Sequence, residues 1–254
     1  MRIYPTLAAG CVVAMGWIAP AAHADNRWYI SGSIGGFFLQ NYTDETTFSK
    51  LVSVPVSRSA ASISGNNVVV VARPPTFILT PVTAKGTQRF SYSPGPVENL
   101  AIGYRIIPQV RVEGEIGYSN FGVSTLQPSV NNLYFLNLNG RTFDRQSGAA
   151  VDRMTWTLNA FYDFPTVASR FSPYLGVGYG GNENHRTTGH FVSTNGTTFT
   201  SNGGWSGGNE GLLEAGINIR MSRHWALLPA YRYDHFFIDG QNVNIAKLGM
   251  RYSF

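Results

Sequence analysis

Charged residues recur at every second position in several stretches of the sequence, and the chemistry open to them is mutual ion pairing. Arg111, Glu113 and Glu115 alternate with apolar residues or glycine, and Arg232 and Asp234 alternate with tyrosines. Positive and negative charges occur in similar numbers, as is required where charges leave bulk water and must pair. The charged residues that fall on the polar side of such alternating stretches are Arg105, Arg111, Glu113, Glu115, Glu214, Arg232, Asp234, Lys247 and Arg251.

The element that must position these charges is a strand whose two faces differ. Between Met154 and Phe164, the even positions are apolar or aromatic and the odd positions are mostly polar. A period of two over about ten residues is typical of a β-strand with one polar and one apolar face. The eight segments with this pattern are Trp28–Leu39, Asn99–Ile106, Val110–Phe121, Met154–Phe164, Pro173–Asn184, Glu210–Met221, Trp225–Phe236 and 245–254.

The connections between the predicted strands alternate in length. Short turns on one side and long loops on the other are typical of a closed, antiparallel, up-and-down transmembrane β-barrel, here of eight strands. The long loops are then outside the cell, and both termini are in the periplasm. The short turns are 107–109, 165–172 and 222–224, and the other connections are 40–96, 122–150, 186–206 and 237–241.

Aromatic residues collect at the ends of the predicted strands, as they do at the two water–lipid boundaries of membrane barrels. A soluble β-sandwich is an alternative fold, but it has no reason to gather aromatics there. A ten-stranded barrel is another alternative, because 68–71 and 77–79 in the first long loop suit a further hairpin. The aromatics are Trp28, Phe164, Phe171, Trp225 and Phe254 at the predicted periplasmic end, and Phe38, Tyr118, Trp156 and Tyr233 nearer the other end.

The composition disfavours several other classes of protein. Charged residues make up 13% of the 254 residues, about half of the roughly 25% typical of soluble globular proteins. Aromatics also make up 13%, which disfavours disorder and a helical cytosolic fold. The single cysteine excludes a disulfide scaffold and a cysteine-based zinc site. The net charge of +5 is too diffuse to indicate nucleic-acid binding.

The first residues form a predicted secretory signal peptide. Arg2 is followed by an apolar stretch that ends at Pro20, and an A-x-A cleavage site ends at Ala24. We therefore predict a signal peptide over 1–24 and a barrel domain over 25–254. The apolar run is short for a membrane anchor, and a lipobox-like sequence before the single cysteine leaves a lipoprotein as an alternative.

Short motifs in the predicted strands carry a family resemblance through their order and spacing. They are Trp28–Gly35, Gly103–Arg105, Arg111–Glu115, Pro173–Gly178, Tyr231–Tyr233 and Gly249–Phe254. With these motifs the sequence resembles the eight-stranded outer-membrane barrels of the OmpA-transmembrane, opacity-protein and bacterial surface-antigen group. The resemblance implies that Tyr252 and Phe254 are a signal to the barrel-assembly machinery. We do not expect the peptidoglycan-binding domain of full-length OmpA-type proteins, because the sequence stops at the last predicted strand.

The inward charges have two interpretations. An eight-stranded barrel is just wide enough for its own side chains to fill it. We therefore interpret the charged residues as a network of salt bridges that holds the barrel shut, and a narrow porin-like channel is the alternative. Gly176, Gly178 and Gly180 are predicted on the lumen side, where they make room for long side chains.

The histidines give little indication of catalysis, and we expect no enzyme activity and no cofactor. His235 follows an aspartate, but adjacent residues of a strand point to opposite faces. Phe237 occupies the serine position of the His-x-Ser spacing found in lipid A deacylases, so a lipid or peptide hydrolase at the outer rim is only a third hypothesis. Three further polar residues are interpreted as ordinary loop residues rather than metal ligands: Glu183, His185 and His190.

Recognition is expected in the loops. The first long loop has five basic residues against two acidic ones, a net charge of +3. That charge suits contact with lipopolysaccharide or host polyanions, although plain solubilising charge explains it equally well. Asn195-Gly196 predicts a hairpin in the third long loop, and Asn139-Gly140 is a similar signal in the second.

Together these features predict a structural or surface-antigen protein of the Gram-negative outer membrane. We expect a monomer whose partners are outer-membrane lipid, lipopolysaccharide and the barrel-assembly machinery. A host or surface ligand is expected through the long loops, and no nucleic acid.

Overall fold

The computed structural model of the chain describes residues 27–56, 59–64, 67–72, 76–132, 135, 138–165, 170–238 and 240–254. The predicted signal peptide and its cysteine lie outside the described residues. Among the described residues, no helix is long and apolar enough to cross a membrane. These residues form the strands β1 Trp28–Leu39, β2 Tyr42–Val56, β3 Ser59–Ser64, β4 Asn67–Ala72, β5 Thr76–Ser93, β6 Gly95–Ile107, β7 Val110–Ser129, β8 Phe143–Gly148, β9 Ala150–Asp163, β10 Phe171–Arg186, β11 Gly189–Ser193, β12 Thr198–Ser201, β13 Gly204–Arg220, β14 Trp225–Phe236 and β15 Gln241–Ser253.

Eight of the described strands pair side by side in one closed antiparallel ring. Its order is β1, β6, β7, β9, β10, β13, β14 and β15. The ring closes at β1, which pairs with β6 on one side and with β15 on the other. Each of the eight predicted segments overlaps one ring strand, so the prediction of an eight-stranded barrel is confirmed.

The remaining described strands lie outside the ring. Residues 68–71 fall in β4, which pairs with β3, and residues 77–79 fall in β5, which pairs with β2. The ten-stranded alternative is therefore wrong, because this hairpin is not inserted between β1 and β6. The reason is that β1 and β6 already pair directly over their whole shared length.

Several ring strands run further than the sequence pattern predicts. β7 extends from the predicted end at Phe121 to Ser129, and β13 begins at Gly204 rather than Glu210. A transmembrane strand needs only about 9–11 residues. Beyond that length the outer face no longer meets lipid, so the strict apolar–polar alternation is lost while the pairing continues.

All long loops lie at one end of the ring, here called the loop end. The short turns, the first described residue Arg27 and the last residue Phe254 lie at the other end, the turn end. The predicted Asn195-Gly196 hairpin is confirmed: β11 pairs with β12, and Gly196 has φ +79°. Gly140 also has a positive φ of +68°, but its turn leads into β8, which pairs with β7 at only two positions.

The outward face of the ring is an exposed apolar belt. The side chains of Ile34, Leu158 and Leu213 point away from the lumen and are more than half exposed. At the turn end the belt ends in aromatic pairs, with ring centroids 5.0 Å apart for Trp28 and Tyr104. Exposed apolar side chains bounded by aromatics are what a lipid-facing surface requires.

The inward face is packed by aromatic rings that lie on glycines of the neighbouring strand. Tyr29 lies over Gly103, and an added Cβ at Gly176 would overlap the ring of Phe161. The third such pair is Tyr174 over Gly216. The prediction that these lumen glycines make room for long charged side chains is therefore wrong for Gly176 and Gly180. The space at Gly176 accommodates an aromatic ring rather than a long charged side chain, and Gly180 instead lies against the backbone of β9.

We expect the substitution Leu158→Arg to destabilise the folded barrel by about 2–4 kcal/mol, because it places a charge on the lipid-facing belt. Urea unfolding of the protein in lipid vesicles measures this loss. The matched control is Thr47→Arg, at an exposed strand position of β2 outside the ring, where the free energy of unfolding should be almost unchanged. Equal losses at the two sites would show that Leu158 does not face lipid.

Candidate functional site

A cluster of four buried charges crosses the middle of the lumen. Arg232 binds Glu115 with two parallel hydrogen bonds, Nη1···Oε1 at 2.5 Å and Nη2···Oε2 at 2.9 Å. Its Nε donates to Oε2 of Glu214 at 3.0 Å. Lys247 Nζ lies 2.7 Å from Oε2 of Glu214 and 3.7 Å from Oε2 of Glu115. Two cations and two carboxylates therefore compensate one another, and none of the four side chains is more than 7% exposed.

The strand registers explain why these four residues meet. Arg232 and Glu214 are direct cross-strand partners on β14 and β13, whereas Glu115 stands on β7. In the ring order, β7 and β14 lie on opposite walls. The bidentate pair between Arg232 and Glu115 thus spans the lumen, which is possible only because the barrel is narrow.

A second cluster lies nearer the turn end. Arg111 forms ion pairs with Glu113 and, through Nε, with Oδ1 of Asp163 at 3.2 Å. The hydroxyl of Tyr29 donates to Oε1 of Glu113 at 2.8 Å. The guanidinium carbon of Arg111 lies 3.8 Å from the ring centroid of Phe161, a distance typical of a cation–π contact. The charge of Arg111 is therefore compensated on several sides.

Tyr174 joins the two clusters. Its hydroxyl donates to Oε1 of Glu214 at 2.9 Å, and its ring centroid lies 4.8 Å from the guanidinium carbon of Arg111. The polar contacts consequently run without interruption from the turn end to the middle of the lumen.

Three of the predicted charged residues are not members of the ion pairs in these clusters. Arg251 is buried with its guanidinium carbon 5.2 Å from the ring centroid of Tyr29. Asp234 is also buried, one inward position further along β14 from Arg232. Arg105 is half-buried at the irregular end of β6, where the register shifts.

Sequence reasoning missed several members of the network. Asp163 and Arg153 stand at odd positions of β9, the predicted polar face, so the alternation itself could have found them. The alternation also places Tyr29 and Tyr174 on the inward side, but it does not show which carboxylates their hydroxyl groups reach. Their roles follow from contacts between strands that the order of residues along one strand does not encode.

An apolar layer closes the loop end of the lumen. The rings of Phe37 and Phe121 stack with centroids 4.8 Å apart. Arg153 lies against this layer, with its guanidinium carbon 4.1 Å from the ring centroid of Phe236 and its Nε donating to Oδ1 of Asn184 at 2.5 Å. The buried side chains of the layer are Phe37, Val97, Phe121, Val151, Phe236, Val243 and Ile245.

Beyond this layer, the long loops build a second hydrophobic core, and we call the region that surrounds it the cap. The cap comprises β2, β5, the outer part of β7, β8, β11 and β12. β5 is joined to the ring because Thr87–Ser93 pairs with Gly122–Ser129 of β7. The buried side chains of the cap core are Phe48, Phe90, Val123, Leu126, Val130, Phe135, Leu138, Phe143, Ala149 and Phe191.

Two cavities accompany these layers in the described part of the chain. The lumen cavity beside the four-charge cluster has a volume of only 20 Å³, enough for about one water molecule. A larger cavity of 180 Å³ lies between the cap and the mouth of the ring, lined by Tyr42, Phe90, Arg153, Arg186 and Trp205 among others.

The loop-end histidines make contacts of their own. Nδ1 of His235 lies 2.7 Å from Oδ1 of Asn242, and Nδ1 of His190 lies 3.2 Å from the hydroxyl of Thr200. His185 packs against Trp205 with ring centroids 4.4 Å apart. Among the described residues, no group of three or more His, Cys, Asp or Glu side chains is placed to hold a metal ion.

The predicted assembly signal lies at the turn end of the ring. The ring of Tyr252 packs between those of Trp225 and Phe254, with centroid distances of 4.9 and 5.5 Å. The backbone N–H of Phe254 donates to the carbonyl of Trp28 at 3.1 Å. The last residue thus joins the closing strand pair, and its role as a signal stays a prediction.

Comparison with solved structures finds outer-membrane proteins of low sequence identity. Neisserial surface protein A is 15% identical, with 92% of this chain and 100% of that chain covered and a TM-score of 0.42. Ail of Yersinia pestis is 14% identical, with 90% and 99% covered and a TM-score of 0.38. The outer membrane protease OmpT of Escherichia coli is 8% identical, with 89% and 97% covered and a TM-score of 0.38.

At identities this low, these similarities carry no information about function. No curated protein matches the sequence. The model of the outer membrane protein beta-barrel domain family matches residues 7–254, and the chain therefore belongs to this family of outer-membrane β-barrels.

Proposed function

We propose that the protein is a closed outer-membrane barrel that presents a folded cap outside the cell, in a structural or surface-recognition role. The observation that carries this proposal is the hydrophobic core of the cap. Phe48, Phe143 and Phe191 come from three different loop connections and pack into one buried cluster. Loops that only connect strands do not require a hydrophobic core of their own. A recognition surface does require one, because its side chains must be held in a fixed arrangement.

The packing of the lumen supports a closed barrel over the narrow-channel alternative. An open pore needs a continuous path of water, but the ion pairs between Arg232 and Glu115 join opposite walls. A cavity of 20 Å³ beside them holds about one water molecule. The apolar layer at the loop end adds a second barrier to ions.

The rim-hydrolase alternative has no comparable support in the described part of the chain. His235 contacts an asparagine, and the buried Asp234 lies on the opposite face of β14. We therefore assign no catalytic role to these two residues.

The proposal includes the expected route and partners of the protein. Export uses the signal peptide over 1–24, and insertion uses Tyr252 and Phe254 as the signal to the assembly machinery. The mature protein is a monomer surrounded by lipid and lipopolysaccharide. The cap and the rest of the first long loop contact a surface or host ligand through basic residues, because this loop has five basic residues and only two acidic ones.

We expect Arg232→Met to lower the free energy of unfolding by about 3–5 kcal/mol, because it leaves two buried carboxylates with Lys247 as their remaining cation. Adding Glu115→Gln should restore part of the loss by removing one uncompensated charge. Urea unfolding in lipid vesicles measures both variants. The control is Arg220→Met at an exposed position of β13, where the change should stay below roughly 0.5 kcal/mol. A similar loss at Arg220 would argue against the ion-pair network.

We expect trypsin added to intact cells to cut in the first long loop, after Lys50, Arg58, Arg73 or Lys85. Arg170 and Arg223 are exposed at the turn end and should be cut only after the outer membrane is permeabilised. Mass spectrometry of the released peptides identifies the sites. Cleavage at Arg170 or Arg223 in intact cells, with the first loop uncut, would invert the orientation and overturn the proposed role of the cap.

A further inference from the structure

The outer part of the β2–β5 pair has no other described strand beside it. The two strands pair from Tyr42 and Phe90 to Val56 and Thr76. β5 pairs with β7 only from Thr87 to Ser93. We define the outer ribbon as residues 50–56 and 76–82, the two-stranded portion furthest from the ring.

The outer ribbon exposes large apolar side chains on both of its faces. The strand register places Leu51, Leu79 and Phe77 on one face and Ile78 on the other. Their exposed fractions are 62%, 65%, 64% and 49%, in that order. A two-stranded ribbon is marginally stable in water, and a grouped apolar surface of this kind indicates a binding site.

The stretch of sequence that contains the outer ribbon carries only positive charges. Between Glu45 and Glu98 the sequence has no acidic residue. The five basic residues of this stretch are Lys50, Arg58, Arg73, Lys85 and Arg89. Lys50 and Lys85 are exposed, so the surface that complements the ribbon is anionic as well as apolar.

Apolar side chains on both faces distinguish between kinds of partner. A groove on a protein covers one face of a ribbon and leaves the other in water. A lipid bilayer accepts apolar side chains from both faces at its interface, and anionic headgroups attract the flanking cations. The two-sided apolar surface and the positive charge together favour a lipid surface.

The position of the ribbon indicates which lipid surface it meets. Tyr118 is the exposed aromatic of β7 nearest the loop end. We measure the distance from Tyr118 to Leu79 along the strands. The path first follows β7 from Tyr118 to Ser129, crosses to Thr87, which pairs with Ser129, and then follows β5 from Thr87 to Leu79. This path is about 60 Å long at roughly 3.3 Å per residue, which favours a facing membrane over the leaflet that holds the barrel.

We propose that the outer ribbon docks on the anionic phospholipid bilayer of a facing membrane. Leu51, Phe77 and Leu79 enter the boundary between headgroups and acyl chains, and Lys50 and Lys85 bind lipid phosphates. This inference rests on the proposed outward orientation of the cap, and it names the partner of that surface.

The test uses the full barrel in nanodiscs of phosphatidylcholine, mixed with acceptor vesicles and separated by flotation. The acceptor vesicles contain either phosphatidylcholine alone or phosphatidylcholine with one quarter phosphatidylglycerol. We expect at least tenfold more protein to float with the anionic vesicles, and high salt should reduce that fraction. The heat-dependent shift on gels verifies that the barrel in each sample is folded.

Three variants assign the binding to the ribbon. Leu51→Ser, Phe77→Ser and Leu79→Ser combined should lower flotation with anionic vesicles about tenfold or more. Lys50→Gln with Lys85→Gln should lower it and weaken its salt dependence. The matched control replaces an exposed cross-strand pair on the same two strands, Ser49→Ala with Thr83→Ala, and should bind like the unmodified protein.

Several outcomes would overturn the inference. Undiminished flotation of the apolar variant would show that the ribbon is not the docking element. Association of nanodiscs without vesicles would identify a second copy of this chain as the occupant. Flotation only with vesicles that contain lipopolysaccharide would assign the ribbon to the outer leaflet of its own membrane. A failure of the orientation itself is separately visible in the trypsin experiment on intact cells.

Discussion

Inside the hydrocarbon of a membrane, every backbone N–H and C=O group must form a hydrogen bond within the protein. The pairing of β1 with β15 meets this requirement for the whole ring, because it joins the first strand to the last. Without it, two strand edges would face lipid. Closure has a second consequence, because it isolates a narrow lumen from bulk water. Charges such as Arg232 and Glu115 then persist there only as hydrogen-bonded pairs, and aromatic rings fill the space beside glycines such as Gly176.

The same pairing explains the cap. Ring strands that continue past the lipid carry their backbone hydrogen bonds into water, where β5 adds to the outer part of β7. Beyond the lipid, apolar side chains of the cap pack against one another, as Phe48 does against Phe135 and Phe199. The loop end is therefore a folded extension of the barrel with a core of its own, and it holds the outer ribbon away from the membrane.

The sequence was sufficient to predict the ring strands because lipid imposes the same apolar requirement on every outward position. It predicted the inward side of β7 and β14 for the same reason. It could not predict that Arg232 meets Glu115 rather than Glu113, because that choice depends on the register of strands that are distant in the chain. The cap was also missed: contacts among Phe48, Phe143 and Phe191 join separate loops, where no periodic pattern constrains the residues.

Single-channel conductance in planar lipid bilayers tests most directly whether the lumen is structural. Side chains that join opposite walls and an apolar layer above them predict that the purified, folded protein gives no reproducible open channel in concentrated potassium chloride. A folded porin inserted under the same conditions verifies that the bilayer can report channels. Stable, uniform openings from this protein alone would show that the ion pairs line a water-filled path and would contradict a closed barrel.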